Sequence, residues 1–175
     1  MKRLTVLLVA AMVVSTNTAC ATPQTKPVTI EHTSFVPVSA QQKLQHRTNK
    51  VLAQLKARIH KTWYVFSGDQ PSGWDCSGLT RWAYAQLGYD IPHSAHKQAT
   101  LGKRVTIPQP GDLVVFAYGP WFVHAAIYVG DNKVIHAGFR PGTKTEIISL
   151  SSPSFAGMRI VFRRILPLPQ KALLL

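Results

Sequence analysis

The stretch His124-Ala125-Ala126-Ile127-Tyr128-Val129-Gly130-Asp131-Asn132-Lys133-Val134-Ile135-His136-Ala137 decides the fold. Two apolar, β-branched runs flank Gly130-Asp131-Asn132, and that pattern predicts two antiparallel strands joined by a tight hairpin turn. Upstream, Pro110-Gly111 marks a turn before Asp112-Leu113-Val114-Val115-Phe116, whose composition suits a buried strand. Downstream, residues 145–150 and 158–165 read as further strands. Toward the N-terminus the period changes. Between residues 40 and 60, Leu44, Val51, Leu52, Leu55 and Ile59 recur at helical spacing among Lys50, Gln54, Lys56 and Arg58. A second helix is expected to open at Cys76 with Asp75 as N-cap, to bury Leu79, Ala83 and Leu87, and to stop at Gly88. Residues 93–104 read as a short helix or a loop. Helices first and a meander of antiparallel strands afterwards is an α+β order.

The hairpin also carries the chemistry. Paired residues on adjacent antiparallel strands lie within about 5.5 Å, and a register centred near Gly130 sets His124 roughly opposite His136. Both imidazoles then share one face, and the helix that starts at Cys76 is expected to pack over it. A helix N-terminus and an imidazolium supply positive potential to a thiolate. In that geometry His124 takes the thiol proton and His136 holds the His124 ring through its second nitrogen.

Cysteine usage supports a reactive thiol. The chain has two cysteines, Cys20 and Cys76. Lys2 and Arg3 precede an apolar run from Leu4 to Val14 and then small, polar residues, the layout of an export signal over residues 1–21. Two processing sites compete: cleavage after Ala21, or a lipoprotein site with Cys20 acylated. Under either, Cys76 has no disulfide partner. The alternative is an inert buried cysteine, but the small and polar neighbours Asp75, Ser77 and Gly78 favour reactivity.

With 175 residues, 46% of them hydrophobic, the chain suits one catalytic-size domain, expected at residues 40–166. Residues 22–39, rich in Thr, Val and Pro, read as a flexible linker, and residues 167–175 as a tail. Lys and Arg number 20 against 7 acidic residues, a formal charge of +13. Loss of residues 1–21 leaves 18 basic against 7 acidic residues, or +11. Exported and this basic, the protein is expected in the periplasm, cell envelope or outside the cell, near anionic wall polymers or lipid headgroups. No nucleic-acid motif accompanies the charge. The histidines His93, His96, His124 and His136 lack close zinc-ligand spacing with Cys76, so no metal is expected.

Five ordered segments carry a resemblance: Trp63-Tyr64-Val65-Phe66-Ser67-Gly68, Trp74-Asp75-Cys76-Ser77-Gly78-Leu79, Pro110-Gly111-Asp112-Leu113-Val114, His124-Ala125-Ala126-Ile127-Tyr128-Val129-Gly130 and Val134-Ile135-His136-Ala137. Over about residues 51–166 the chain resembles the NlpC family of papain-like cell-wall cysteine peptidases. The resemblance implies a papain-like α+β fold with Cys76 as nucleophile at a helix N-terminus, His124 as general base and then acid, and His136 as its orienting residue. It places the Tyr64 hydroxyl at the oxyanion and Asp75 and Ser77 along the substrate cleft. It implies hydrolysis of peptidoglycan stem peptides, at the bond between D-glutamate and a diamino acid, with no cofactor. An amidase or acyl transferase on the same fold, and a non-catalytic basic wall-binding protein, remain as alternatives. The chain departs from the pattern at Ser67, where glycine is frequent, and at His93 and Ala95, where Arg and Ser are common.

Overall fold

The helical spacing of residues 40–60 forms α1 (Val38–Lys56), which buries Thr48, Val51, Leu52 and Leu55 and turns Lys43, Arg47 and Lys50 outward. This computed structural model describes residues 38–166. The expected export signal with Cys20, most of the expected linker and the C-terminal tail lie outside those residues.

After α1 come two short paired strands, β1 (Asp69–Gln70) and β2 (Gly73–Trp74), and then α2 (Cys76–Gln86). Asp75 caps α2 as the sequence predicts, and Gly88 follows its end with φ 91. The ambiguous segment after Ile91 holds a single helical turn, α3 (Ala95–Gln98), capped by Ser94. It also holds a short strand that periodicity did not reveal, β3 (Lys103–Val105). The predicted strands follow as β4 (Leu113–Tyr118), β5 (Trp121–Gly130), β6 (Lys133–Ala137), β7 (Thr145–Ser149) and β8 (Arg159–Arg164). A 3-10 turn, Pro153–Phe155, precedes β8.

All strand pairs of the main sheet are antiparallel, in the order β3-β8-β4-β5-β6-β7. The meander therefore holds from β4 to β7, but β8 returns across the sheet to pair with β4. An ion pair fixes that return: Arg164 Nε and Nη2 reach the two carboxylate oxygens of buried Asp112 at 3.0 and 2.8 Å. Such a fork-on-carboxylate contact is charge-assisted and geometrically selective. It ties β8 to the turn that starts β4.

Both faces of the sheet are covered. Leu113, Val115, Ala125, Ile127, Ile135, Ala137 and Val161 share one core cluster with Leu55, Leu79, Ala83 and Leu87 of the helices. Val114, Phe116, Ala126 and Val134 face the other way and pack with Leu150 and Phe155.

The start of α2 is held by backbone packed on backbone. A Cβ at Gly78 would overlap the Gly68 carbonyl oxygen, and one at Gly68 would overlap the Gly73 carbonyl. These glycines let the first turn of α2 sit directly on the chain before β1. Ser67 adopts φ 57, the left-handed region that glycine enters at no steric cost. Trp74, fully buried, donates its indole N–H to Thr145 Oγ1 at 2.8 Å and so ties the residue before Asp75 to β7.

Candidate active site

Cys76 is the first residue of α2, where the opening N–H groups of a helix have no partner within the helix. The N–H groups of Cys76 and Ser77 are directed at its sulfur, together with the N–H of Ala125 on β5. The β5–β6 pairing starts at Ile127↔Ile135 and does not extend to Ala125. The thiol thus meets the sheet at the seam where the two strands have separated, one residue from His124.

Burial nevertheless dominates the thiol. It pushes the Cys76 pKa up to about 11, with the Asp75 carboxylate adding to the rise and the three N–H groups opposing it. The side chain rests as a neutral thiol. Tyr64 stands close enough that, after burial, the charges of Cys76 and Asp75 raise its hydroxyl pKa. Tyr64 is placed by its N–H bonding to Thr143 O at 2.8 Å and by a bridge to Trp74.

His124 and His136 come together, with His124 Nε2 2.9 Å from His136 Nδ1. They share a face, but they are not directly opposite. On the register of Ile127↔Ile135 and Tyr128↔Val134, His136 faces Ala126, and a bulge between Tyr128 and Gly130 shifts the pairing before the turn. The two imidazoles meet on the diagonal. The helix does not cover them, contrary to the sequence expectation. Their face is the one carrying Phe116, cross-strand partner of His124, whereas α2 packs on the face of Ala125 and Ile127. The cover is aromatic: Phe139 stacks on His124 at 4.3 Å between ring centroids, Phe116 lies at 5.5 Å, and Phe155 lies 5.8 Å from His136.

This box sets the protonation state. Burial and then the neighbouring His136 hold the His124 pKa well below 6.5, and burial pushes His136 down to about 4. Both shifts favour a neutral imidazole and a neutral thiol over the imidazolium–thiolate pair expected from the sequence. A histidine whose folded pKa is depressed contributes stability above its unfolded pKa and loses it as pH falls toward the folded value. For His136 that window runs from about 6.5 to about 4, and the loss is on the order of 3 kcal/mol across it. Denaturant unfolding of the wild type between pH 7 and pH 4 should show this loss, and His136→Asn should show a shallower slope. Equal slopes would contradict the buried neutral assignment.

Asp75 and Ser77 are occupied within the protein. Asp75 Oδ1 accepts from Gly78 N at 2.7 Å and from Ser77 Oγ at 2.9 Å and lies 3.0 Å from His93 Nε2; Oδ2 accepts from Ser67 N at 3.1 Å. His93, at the position of the common Arg, thus holds the cap. Sequence reading missed four contributors. Gln98 is fully buried and ties α3 to α2 and to the loop before it, bonding Thr80, Ser77 O and Pro92 O. Phe139 and Phe155 close the aromatic box. Glu146 lies directly across from His136 on β7, with Oε1 3.3 Å from His136 Nε2. Only the strand alternation of residues 145–149 hinted at that last pairing. Among the described residues no group of three His, Cys, Asp or Glu could hold a metal ion.

Helices packed on one antiparallel sheet, with a cysteine opening α2 and two paired histidines on the strands, make an α+β fold. The NlpC/P60 family pattern matches residues 61–164, and the chain belongs to that family. A probable endopeptidase of Mycobacterium tuberculosis is 41% identical over 91 residues, which span 51% of this chain and 23% of that protein. A probable endopeptidase of Corynebacterium glutamicum is 43% identical over 76 residues, 42% of this chain and 35% of that protein. Among solved structures, an NlpC/P60 family protein from Bacillus cereus superposes with a TM-score of 0.63 at 31% identity, covering 69% of this chain and 40% of that one. The NlpC/p60 domain of the peptidoglycan hydrolase SagA gives 0.57 at 29% identity, covering 67% and 98%.

Proposed function

We propose that the protein is an exported cysteine peptidase that hydrolyses peptidoglycan stem peptides, at the bond between D-glutamate and a diamino acid. One observation supports this most: Cys76 opens α2 with the Ala125 N–H lowering its thiol pKa, and Ala125 is the neighbour of a histidine already bonded to a second histidine. Its family relatives carry endopeptidase and peptidoglycan hydrolase names.

Cys76 Sγ attacks the peptide carbonyl carbon while its proton passes to His124. Because both partners start neutral, proton transfer accompanies attack. The oxyanion gains the Cys76 N–H and the Tyr64 hydroxyl as donors. His124 returns the proton to the leaving amine, which leaves a Cys76 thioester. His124 then takes a proton from water; the hydroxide attacks the thioester carbonyl, the thiolate departs and recovers the proton, and a carboxylic acid is released. Asp75 and Ser77 support the cleft by fixing the first turn of α2. The basic surface draws the protein to anionic wall polymers or lipid headgroups, with retention by Cys20 acylation or by charge.

Incubation with a muropeptide bearing an intact stem, followed by mass spectrometry, tests the bond. The expected products are a fragment ending in D-glutamate and one beginning with the diamino acid. Release of the whole stem from the sugar would make it an amidase instead, and transfer to an added amine without hydrolysis would make it an acyl transferase.

A further inference from the structure

We propose that Glu146 is a positioning residue that selects the tautomer of the histidine pair, making His136 carry its proton on Nε2 and leaving His124 Nδ1 bare for the thiol. It rests on His124 serving as base to Cys76. The observation behind it is an orphaned atom. His136 Nε2 is the one buried side-chain N or O atom among the described residues without an aligned hydrogen bond. A carboxylate oxygen lies 3.3 Å away.

The two rings share one proton across their contact. The contact between His124 Nε2 and His136 Nδ1 at 2.9 Å needs one donor and one acceptor. In one arrangement His124 Nε2–H donates, His136 Nδ1 accepts, the His136 proton sits on Nε2, and His124 Nδ1 keeps its lone pair. In the other, His136 Nδ1–H donates, a bare His136 Nε2 faces outward, and His124 carries its proton on Nδ1, where it is no base. An anionic oxygen opposite His136 Nε2 attracts an N–H and repels a lone pair. Glu146 therefore favours the first arrangement.

Position adds to this. Glu146 and His136 are direct cross-strand partners, so their side chains leave the sheet on the same face. Glu146 lies on β7, the edge strand of the sheet, and its side chain is 41% exposed. Its carboxylate meets solvent there while the rings remain buried. A small rotation of its carboxylate aligns the bond, in keeping with site hydrogen bonds that are loose before substrate binds. When His124 takes a proton, its positive charge develops inside an aromatic box. The chain His124 Nε2–H to His136 Nδ1, then His136 Nε2–H to Glu146, extends that charge to a carboxylate at the protein edge. Among the described residues it is the one carboxylate within salt-bridge distance of either ring.

The test uses the full chain with nitrogen-15-labelled histidine, Glu146→Gln and Glu146→Lys. Two-dimensional spectra that assign ring protons should show Nε2–H on both His124 and His136 in the wild type. Glu146→Lys, which sets an ammonium against His136 Nε2, should move both protons to Nδ1. Glu146→Gln should give a mixture. Against stem peptides, kcat should fall a few-fold in Glu146→Gln and at least about 10-fold in Glu146→Lys, with KM nearly unchanged. Unchanged tautomers in Glu146→Lys, with thermal unfolding showing the variant folded, would overturn the proposal. So would wild-type kcat in Glu146→Gln. If the wild type cleaves no stem peptide, the peptidase reading fails, and the spectra still decide the tautomer question.

Discussion

Replacing Cys76 with serine is expected to lower kcat/KM on stem peptides at least about 10^4-fold, with folding and substrate binding retained. The size follows from the electrostatics of the site. The thiol is already held neutral by burial, at a pKa of about 11. A hydroxyl in that place is far less acidic, and the neutral, burial-weakened imidazole of His124 is a poor base for it. The three N–H groups that converge on sulfur stabilise a soft, large anion and do not make up that gap. Cys76→Ala should be equally inactive while keeping the wild-type unfolding temperature within a few degrees. Steady-state rates on a defined muropeptide, paired with thermal melts, check both. Retention of more than about one tenth of the activity in Cys76→Ala would remove the thiol from the reaction.

The second large effect is structural. Gly78→Ala is expected to destabilise the protein by about 3 kcal/mol or more, and the site should collapse with the fold. The added methyl would overlap the Gly68 carbonyl oxygen, and no flexible side chain is there to yield. Either the first turn of α2 lifts or the chain before β1 moves, and both changes displace Cys76 from Ala125. Gly73→Ala is the control, because its methyl would meet the Val65 side chain, which can rotate. Denaturant curves should rank wild type, Gly73→Ala and Gly78→Ala in falling stability. Equal midpoints for Gly78→Ala and the wild type would show that the close approach is not needed.

Much of this architecture is legible in the chain. The β5–β6 hairpin stands out because two β-branched runs meet at Asp131-Asn132, both of which adopt the positive φ a tight turn requires. The cap and stop of α2 are equally plain, since Asp75 and Gly88 serve local backbone geometry. What escaped is set by distant contacts. β3 is three residues long and exists through pairing with β8. The return of β8 depends on the Arg164–Asp112 pair, which joins residues 52 positions apart.

Which face of the sheet the helices cover is not legible in the sequence. In β4 both Val114 and Val115 are fully buried, so alternation does not tell which side the helices occupy. His124 and His136 meet on one face as the hairpin predicts, but their cover is Phe139 and Phe155 instead of α2. Their neutral state follows from that cover. Glu146 stayed hidden because a single acidic residue in a strand reads as solvent-facing until its cross-strand partner is known.

Digestion of purified sacculi by the wild type and by Cys76→Ala, with mass spectrometry of the released fragments, bears most directly on the thiol-and-imidazole chemistry placed at the head of α2. The wild type should release stem-peptide fragments with new termini, and the variant none. Identical fragments from both proteins would contradict it.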